Sequence, residues 1–326
     1  MIDNLLLYIS DTLNPYINLA KEKFLFDSVD NKTLILYLWQ NQNTVVIGKN
    51  QNAYLECRTE LLKQDGVTLA RRLSGGGAVF HDIGNLNFTF ICATENFDVS
   101  NHVKVIQNAC RKANIETQIS GRNDILANDK KFSGNAFYNS QGHSYHHGTI
   151  LINADTEKLN RYLTPPKAKL VAKGIKSVKS RVINLSELSP TLTCENMKTY
   201  LLSAFEETYG IKPQNFGEID MEKVTPIADY YGSWEHLYGT MLPFNATCED
   251  QLSFGNVQIQ LNVEKSVITS IKVYTDSLDT EIASKVETAL SQQPFTLSGI
   301  QMALNNTLDT QKSTELTSLF EQQLFR

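Results

Sequence analysis

Hydrophobic and polar positions along the chain change period several times. Leu5–Ser10 reads as a strand, with Asp11 and Asn14-Pro15 marking a turn. Apolar residues at helical spacing (Ile17, Ala20, Phe24) then predict a helix over Pro15–Val29, with Pro15 suited to its first turn. Leu34–Trp39 and Thr44–Gly48 are β-rich runs around the polar Asn41-Gln42-Asn43, a pattern that predicts a hairpin. Tyr54–Gln64 and Asn101–Ala113 read as helices, and Val67–Arg71, Ala78–Phe80, Leu86–Cys92 and Ser144–Asn153 as strands. Glu195–Tyr209 reads as a helix stopped by Gly210. Further on, Val257, Ile259, Leu261 and Val263 alternate with polar residues, Glu264-Lys265-Ser266 turns the chain, and Val267–Tyr274 returns. That is a hairpin with one buried face, followed by helical patterns near Thr280–Ser291 and Ser313–Gln323. With Pro243 just upstream, a boundary near 245 predicts two domains, 1–244 and 245–326. The 326 residues agree with two domains at about 150 residues each.

Composition narrows the class. Hydrophobic residues are 41% and charged residues 20% of the chain, which excludes bulk disorder. The balance of 35 acidic against 30 basic residues, net charge -5, argues against a dedicated nucleic-acid binder. No run of about 18 apolar residues is present to span a membrane, and the N-terminus lacks the basic start of a signal peptide. The five cysteines are odd in number and scattered, with no CxxC. Reduced thiols in a cytoplasmic protein are the expectation.

The densest chemical signal is Arg71-Arg72-Leu73-Ser74-Gly75-Gly76-Gly77-Ala78-Val79-Phe80-His81-Asp82. Three glycines let the backbone approach a ligand, successive N–H groups can cradle an anion, and arginines add charge-assisted donors. No Gly-Lys-Ser/Thr follows, so this is not a P-loop, and the flanks are β-like, so it is not a dinucleotide fingerprint. A tight turn with a glycine bulge is the alternative. Downstream, Gly121-Arg122-Asn123-Asp124 offers an amide and a carboxylate that could hold hydrated magnesium. Lys130-Lys131-Phe132-Ser133-Gly134-Asn135-Ala136 sets a lysine before small residues, where a ligand could lie against the backbone. Alone, Lys131 would read as a solvated charge. His146-His147 is weak as a metal site because neighbours on a strand face opposite sides, one inward and one outward. Six basic residues between Lys167 and Arg181, after Pro165-Pro166, read as a solvated face or as a basic lid over a phosphate-bearing ligand.

Together these segments resemble the lipoate–protein ligase family, within the larger group of biotin and lipoate ligases. The carrying stretches are Thr44–Gly48 with Gln51-Asn52, Arg71–Asp82 with Gly84-Asn85, Gly121–Asp124, Lys131–Ala136, His146–Leu151, Leu170–Leu185 and Ser233-Trp234-Glu235. The resemblance implies an α+β fold: a large domain on a mixed β-sheet flanked by helices, plus a small α+β C-terminal domain. It implies an ATP-dependent ligase that converts lipoate to lipoyl-AMP, then transfers the acyl group to a lysine of lipoyl domains. The acceptors would be 2-oxoacid dehydrogenase complexes or the glycine cleavage H protein, and the small domain would rotate between steps. Arg72, Gly75, Gly76, Gly77, Ala78, Val79 and Phe80 correspond to the segment on the nucleotide and acyl chain. Asn85, Asn123, Asp124, Gly134, His147 and Thr149 fall on the adenylate side, with Asp124 toward magnesium. Lys131 corresponds to the catalytic lysine, and Lys173 to the loop folding over the adenylate. One departure is Ser133-Gly134-Asn135-Ala136, where Ser or Ala is more usual before the last alanine.

The nearest alternatives are an octanoyl or lipoyl transferase of the same fold and a non-catalytic lipoate-binding relative. The transferase uses a cysteine nucleophile, and Ile119–Leu126 contains none.

Overall fold

The computed structural model describes residues 2–121, 123–164, 182–238 and 246–325. The basic stretch with Lys173, the Pro165-Pro166 that precedes it, Arg122, Pro243 and the boundary at 244/245 lie outside the described residues.

Among the described residues, eleven strands precede residue 239: β1 Asn4–Ile9, β2 Thr33–Trp39, β3 Thr44–Ile47, β4 Thr68–Arg71, β5 Val79–His81, β6 Asn85–Ala93, β7 Gln118–Ser120, β8 Asp124–Ala127, β9 Lys130–Ser140, β10 His143–Leu151 and β11 Gln214–Asn215. Eight of them form one mixed sheet in the order β11-β1-β2-β6-β10-β9-β8-β7. A small sheet of order β4-β3-β5 packs beside it, with β3 parallel to β4 and antiparallel to β5. β2 and β6 are buried along their whole length, because helices cover both faces of the sheet. The helix Pro15–Ser28 packs with Tyr37, Trp39 and Tyr145 on one face, and its end is fixed by Asn14, whose side chain accepts from the Tyr16 and Ile17 amides. Helices Val99–Lys112 and Cys194–Tyr209 cover Leu36, Phe88 and Phe90 on the other.

β12 Ala246–Leu252, β13 Gly255–Glu264 and β14 Val267–Thr275 form an antiparallel sheet. Val257, Ile259 and Leu261 point into a separate core closed by helices Ile282–Leu290, Leu297–Asn305 and Thr310–Leu324. The small α+β unit is thus present, with a strand (β12) and a helix (Leu297–Asn305) that alternation alone did not mark.

Two expectations change. Asn41-Gln42-Asn43 does not close a hairpin: β2 pairs with β1 and β6, and β3 pairs with β4 and β5, so this turn carries the chain between sheets. Tyr54–Gln64 is two short helices, Ala53–Glu56 and Thr59–Gln64, separated at Cys57-Arg58.

Candidate functional site

The glycine-rich segment joins β4 to β5, which flank β3 instead of pairing with each other, so it crosses the end of β3 and is not a hairpin turn. Two buried arginines hold it. Arg71 donates to the carbonyls of Gly48, Lys49, Gln51, His236 and Leu237. Arg72 Nη2 donates to Gly75 O (2.7 Å) and Gly77 O (2.8 Å), Nη1 to Val46 O (3.2 Å) and Nε to Ser74 Oγ (3.0 Å). Burial brings both guanidinium pKa values down to about 10, still charged at neutral pH. Arg72 therefore spends most of its donors bracing its own loop and leaves its positive charge at the cavity wall.

Above this loop and the sheet lies a cavity of about 360 Å³. Its floor is a row of residues read across the strands. Trp39 on β2 pairs with Asn87 on β6, and Asn87 with Thr149 on β10. Thr149 Oγ1 accepts from the Gly134 amide on β9 at 3.2 Å, and Gly134 pairs with Asp124 on β8. At about 4.8 Å per strand, the row runs roughly 19 Å from Trp39 to Asp124. All five residues line the cavity.

The Asp124 end carries the charges. Lys131 Nζ lies 2.7 Å from Asp124 Oδ1, both partly exposed. The lysine folds over the strand because Gly134 has no side chain: a Cβ there would sit 3.0 Å from Lys131 Cε and Nζ. A β-bulge at Ile125/Leu126 and a reciprocal pair of amides shape this lip. Asn123 Nδ2 donates to Asn135 O (3.1 Å), and Asn135 Nδ2 to Asn123 O (3.0 Å). The chain returning at Val182 bridges to Lys131, and the Ile183 amide donates to its carbonyl (3.0 Å).

The other end has Leu19, Trp39 and Val46 on its walls, with His81 and Asn87 beside the indole. Beneath it runs one buried polar chain. Trp39 Nε1 donates to Thr89 Oγ1 (3.0 Å), and Thr89 Oγ1 to Glu22 Oε1 (2.7 Å). His147 Nδ1 stands 2.9 Å from the same oxygen and its Nε2 2.7 Å from Ser74 Oγ. The carboxylate accepts, so Nδ1 donates to Glu22. A serine, histidine and carboxylate in this order have the geometry of an activated nucleophile. Here the Ser74 hydroxyl is wholly buried and does not line the cavity, so the chain fixes the loop.

The cavity brings together Arg72, Gly76, Gly77, Ala78, Val79, Asn123, Asp124, Lys131, Gly134, His147 and Thr149 from the sequence reading. Three expected residues are elsewhere. Phe80 faces the opposite way and packs on Tyr162 at 5.5 Å between ring centroids. Asn85 lies behind Asn87 and donates to its Oδ1 (3.0 Å). Gly75 contacts the C-terminal unit, where a Cβ would meet Ser277 O at 2.0 Å. His146 is not outward in the sense of solvent: it is buried under the opposite helices, 2.8 Å from Asn135 Oδ1. The sequence reading missed Trp39, His81, Asn87, Asp276 and Leu278, all of which line the cavity.

The last two come from the C-terminal unit, which meets the glycine loop through Gly76 N–H donating to Ser277 O (3.2 Å). Thr275 N–H donates to Asn50 O (2.8 Å) and Lys49 pairs with Glu281 (2.9 Å). Among the described residues no three His, Cys, Asp or Glu side chains converge as a metal cluster. No cysteine lines the cavity, and burial pushes the Cys57, Cys92, Cys110 and Cys248 thiols up to about 12 and Cys194 to about 11. None is a ready thiolate.

Comparison with known proteins agrees with this geometry. The family model of the lipoyl protein ligase A/B catalytic domain matches residues 14–206, and that of the bacterial lipoate protein ligase C-terminus matches 242–321. Lipoate-protein ligase A of Bdellovibrio bacteriovorus is 37% identical over 313 residues, 93% of this chain and 92% of that one. P. falciparum LipL1, solved with lipoate, superposes with a TM-score of 0.85 at 32% identity, over 98% of this chain and 100% of that one. Lipoate-protein ligase A bound with ATP gives 0.64 at 25% identity, over 74% and 100%. A bi-partite lipoate protein ligase from Thermoplasma acidophilum, studied with its E2 lipoyl domain, gives 0.63 at 26%, over 74% and 98%. The chain belongs to the lipoate–protein ligase family of ATP-dependent enzymes.

Proposed function

We propose that this one cleft runs both steps of lipoate ligation, with Lys131 as the catalytic residue. The observation that carries the reading is the row from Trp39 to Asp124: Leu19, Trp39 and Val46 at one end, a lysine over a glycine at the other. That polarity matches an acid with a long apolar tail whose carboxylate meets a nucleotide phosphate. In the first step a lipoate carboxylate oxygen attacks the α-phosphorus of ATP. The bond to the leaving phosphate breaks, and its electron pair departs with pyrophosphate. Positioning and charge neutralisation dominate such chemistry. Lys131 and the Arg72 charge face the growing negative charge, and the glycine-turn amides supply neutral donors. In the second step the acceptor amine attacks the lipoyl carbonyl, the carbon–oxygen bond to AMP breaks and the amine loses a proton. Lys131 then donates to the carbonyl oxygen as charge builds there.

Asp124 with Asn123 suits magnesium. Asn123 and Asp124 both line the cavity and would offer the ion an amide and a carboxylate oxygen beside the substrate phosphates. When bound, the ion offsets phosphate charge. The acceptor is a lipoyl domain of a 2-oxoacid dehydrogenase complex or the glycine cleavage H protein, and the reaction is cytoplasmic, where ATP is supplied. The division into 1–244 and 245–326 assigns the cleft to the larger part and a covering segment, Asp276–Leu278, to the smaller.

The test is lipoate-dependent pyrophosphate release. Lys131→Ala loses at least about tenfold, or about 1.4 kcal/mol in barrier. Near-normal release by this variant overturns the assignment, and ATP-independent acyl transfer would replace the ligase reading by a transferase.

A further inference from the structure

Asn135 stands where the pattern of the family more usually has serine or alanine. It is 6% exposed. Ala136 pairs with His147 on the cavity side of the sheet, so its neighbour Asn135 turns its side chain to the other side, toward His146. Both ends of the amide are used there. Nδ2 donates to the Asn123 carbonyl (3.0 Å), which fixes the orientation, because a carbonyl only accepts. Oδ1 therefore meets His146 Nε2 at 2.8 Å, and the histidine donates. Burial, aided by His102 and His147, holds the His146 pKa well below its usual value, so the ring is neutral and its one proton sits on Nε2. Gly148 leaves room for the contact: a Cβ there would stand 2.9 Å from Asn135 Oδ1 and 2.7 Å from Gly134 O. The Asn135 main chain adds two more bonds to the same residue. Its N–H donates to Asn123 O (2.9 Å), and its carbonyl accepts from Asn123 Nδ2 (3.1 Å).

Asn123 lies on an otherwise open rim. β7 beyond it is exposed along its whole length, and Gly121 turns the chain at φ +62°. Among the described residues, the hydrogen bonds of Asn123 all run to Asn135. The next residue, Asp124, carries the carboxylate that seats Lys131. A continuous chain thus runs from the core to the charged end of the cavity, through His146, Asn135, Asn123, Asp124 and Lys131. We propose that Asn135, anchored on His146, is a positioning residue for the nucleotide, holding Asn123 and Asp124 where its phosphates arrive. The inference rests on the lipoate-ligase reading, in which this end of the cavity takes ATP. Serine is one bond shorter and alanine carries no polar atom, so the tie belongs to the asparagine of this chain. Without it the buried His146 N–H is left unpaired and the rim loses one of its three bonds.

The experiment measures KM for ATP and for lipoate in pyrophosphate release, and Kd for magnesium-ATP by calorimetry without lipoate, in wild type and Asn135→Ala. The expected result is a rise of about fivefold in KM and Kd for ATP, the weight of one neutral hydrogen bond, with KM for lipoate unchanged. A merely structural defect lowers the folded fraction, which cuts the apparent kcat and leaves both KM values alone. Folded Asn135→Ala with wild-type KM and Kd for ATP overturns the proposal, and so does an equal rise in both KM values. If Asn135→Ala does not fold, His146→Phe and His146→Gln replace it. Phenylalanine cannot donate to Asn135 Oδ1 and raises KM for ATP, whereas glutamine donates and restores it; equal values in the two overturn the proposal. Wild-type protein that binds ATP but releases no pyrophosphate with lipoate sinks the ligase reading instead, and the Kd comparison still judges Asn135.

Discussion

Replacing His102 by phenylalanine isolates one proton of the acid stability of this fold. His102 is fully buried on the helix Val99–Lys112, stacked on Phe90 with centroids 4.5 Å apart and planes 4° from parallel. Neither ring nitrogen has a hydrogen-bond partner among the described residues. Phe97 and His146 close the site at 5.4 and 5.6 Å between centroids, and Asp98, the helix cap, is the nearby carboxylate. Burial brings the His102 pKa down to about 3, against about 6.5 in an unfolded chain. The folded protein thus refuses a proton that the unfolded chain accepts, so stability is intact above about pH 6.5 and falls as pH drops toward 3. Each unit of pH in that window costs about 1.36 kcal/mol per such histidine. Between pH 7 and pH 5 the loss from His102 alone is about 2 kcal/mol. Phenylalanine keeps the stack and removes the titration. Its larger ring shifts stability equally at both pH values, so the readout is a difference of differences. Urea unfolding at pH 7 and at pH 5 is expected to show a wild-type loss exceeding that of His102→Phe by about 2 kcal/mol. Equal losses in the two proteins would refute the reasoning, because His102 would then titrate alike in both states.

Two further outcomes are expected. Gly134→Ala places a methyl 3.0 Å from Lys131 Cε and Nζ, so the ammonium must shift by a few tenths of an ångström in its seat beside Asp124; kcat for adenylation falls about tenfold while thermal stability holds, and unchanged kcat would show that the seat is not used. Arg71→Met strips donors from five backbone carbonyls that tie residues 48–51 to the helix Trp234–Tyr238, costing about 3 kcal/mol or more and several degrees of Tm; a Tm within a degree of wild type would contradict the clamp.

Much of the site was readable because its chemistry is concentrated in short stretches. Gly76-Gly77, Asn123-Asp124, Lys131 and Gly134 stand out in sequence and meet in space. The Trp39 end was harder to see. Trp39 lies on a strand buried on both faces, where an apolar run signals core and nothing else. A signal did exist in β6, where Asn85, Asn87 and Thr89 alternate with Leu86, Phe88 and Phe90, an unusual polar face for a central strand. The hairpin expectation failed because a turn's composition fixes a change of direction but not which strand lies beside it. β9 escaped notice because Ser133, Gly134 and Asn135 are turn formers. They serve in a strand because a lysine and two crossed amides occupy the space that larger side chains would fill.

The row from Trp39 to Asp124 also makes the sheet a ruler. Its graduations are set by backbone hydrogen bonds at about 4.8 Å, so mutation changes what stands at a mark but not where the mark is. On the proposed reading, the longest acid the cleft admits is counted in strands from the lysine to the first bulky side chain, here Trp39 on β2. Lineages of this fold could change acid length in steps of one strand, by moving that obstruction, without rebuilding the Lys131–Asp124 end.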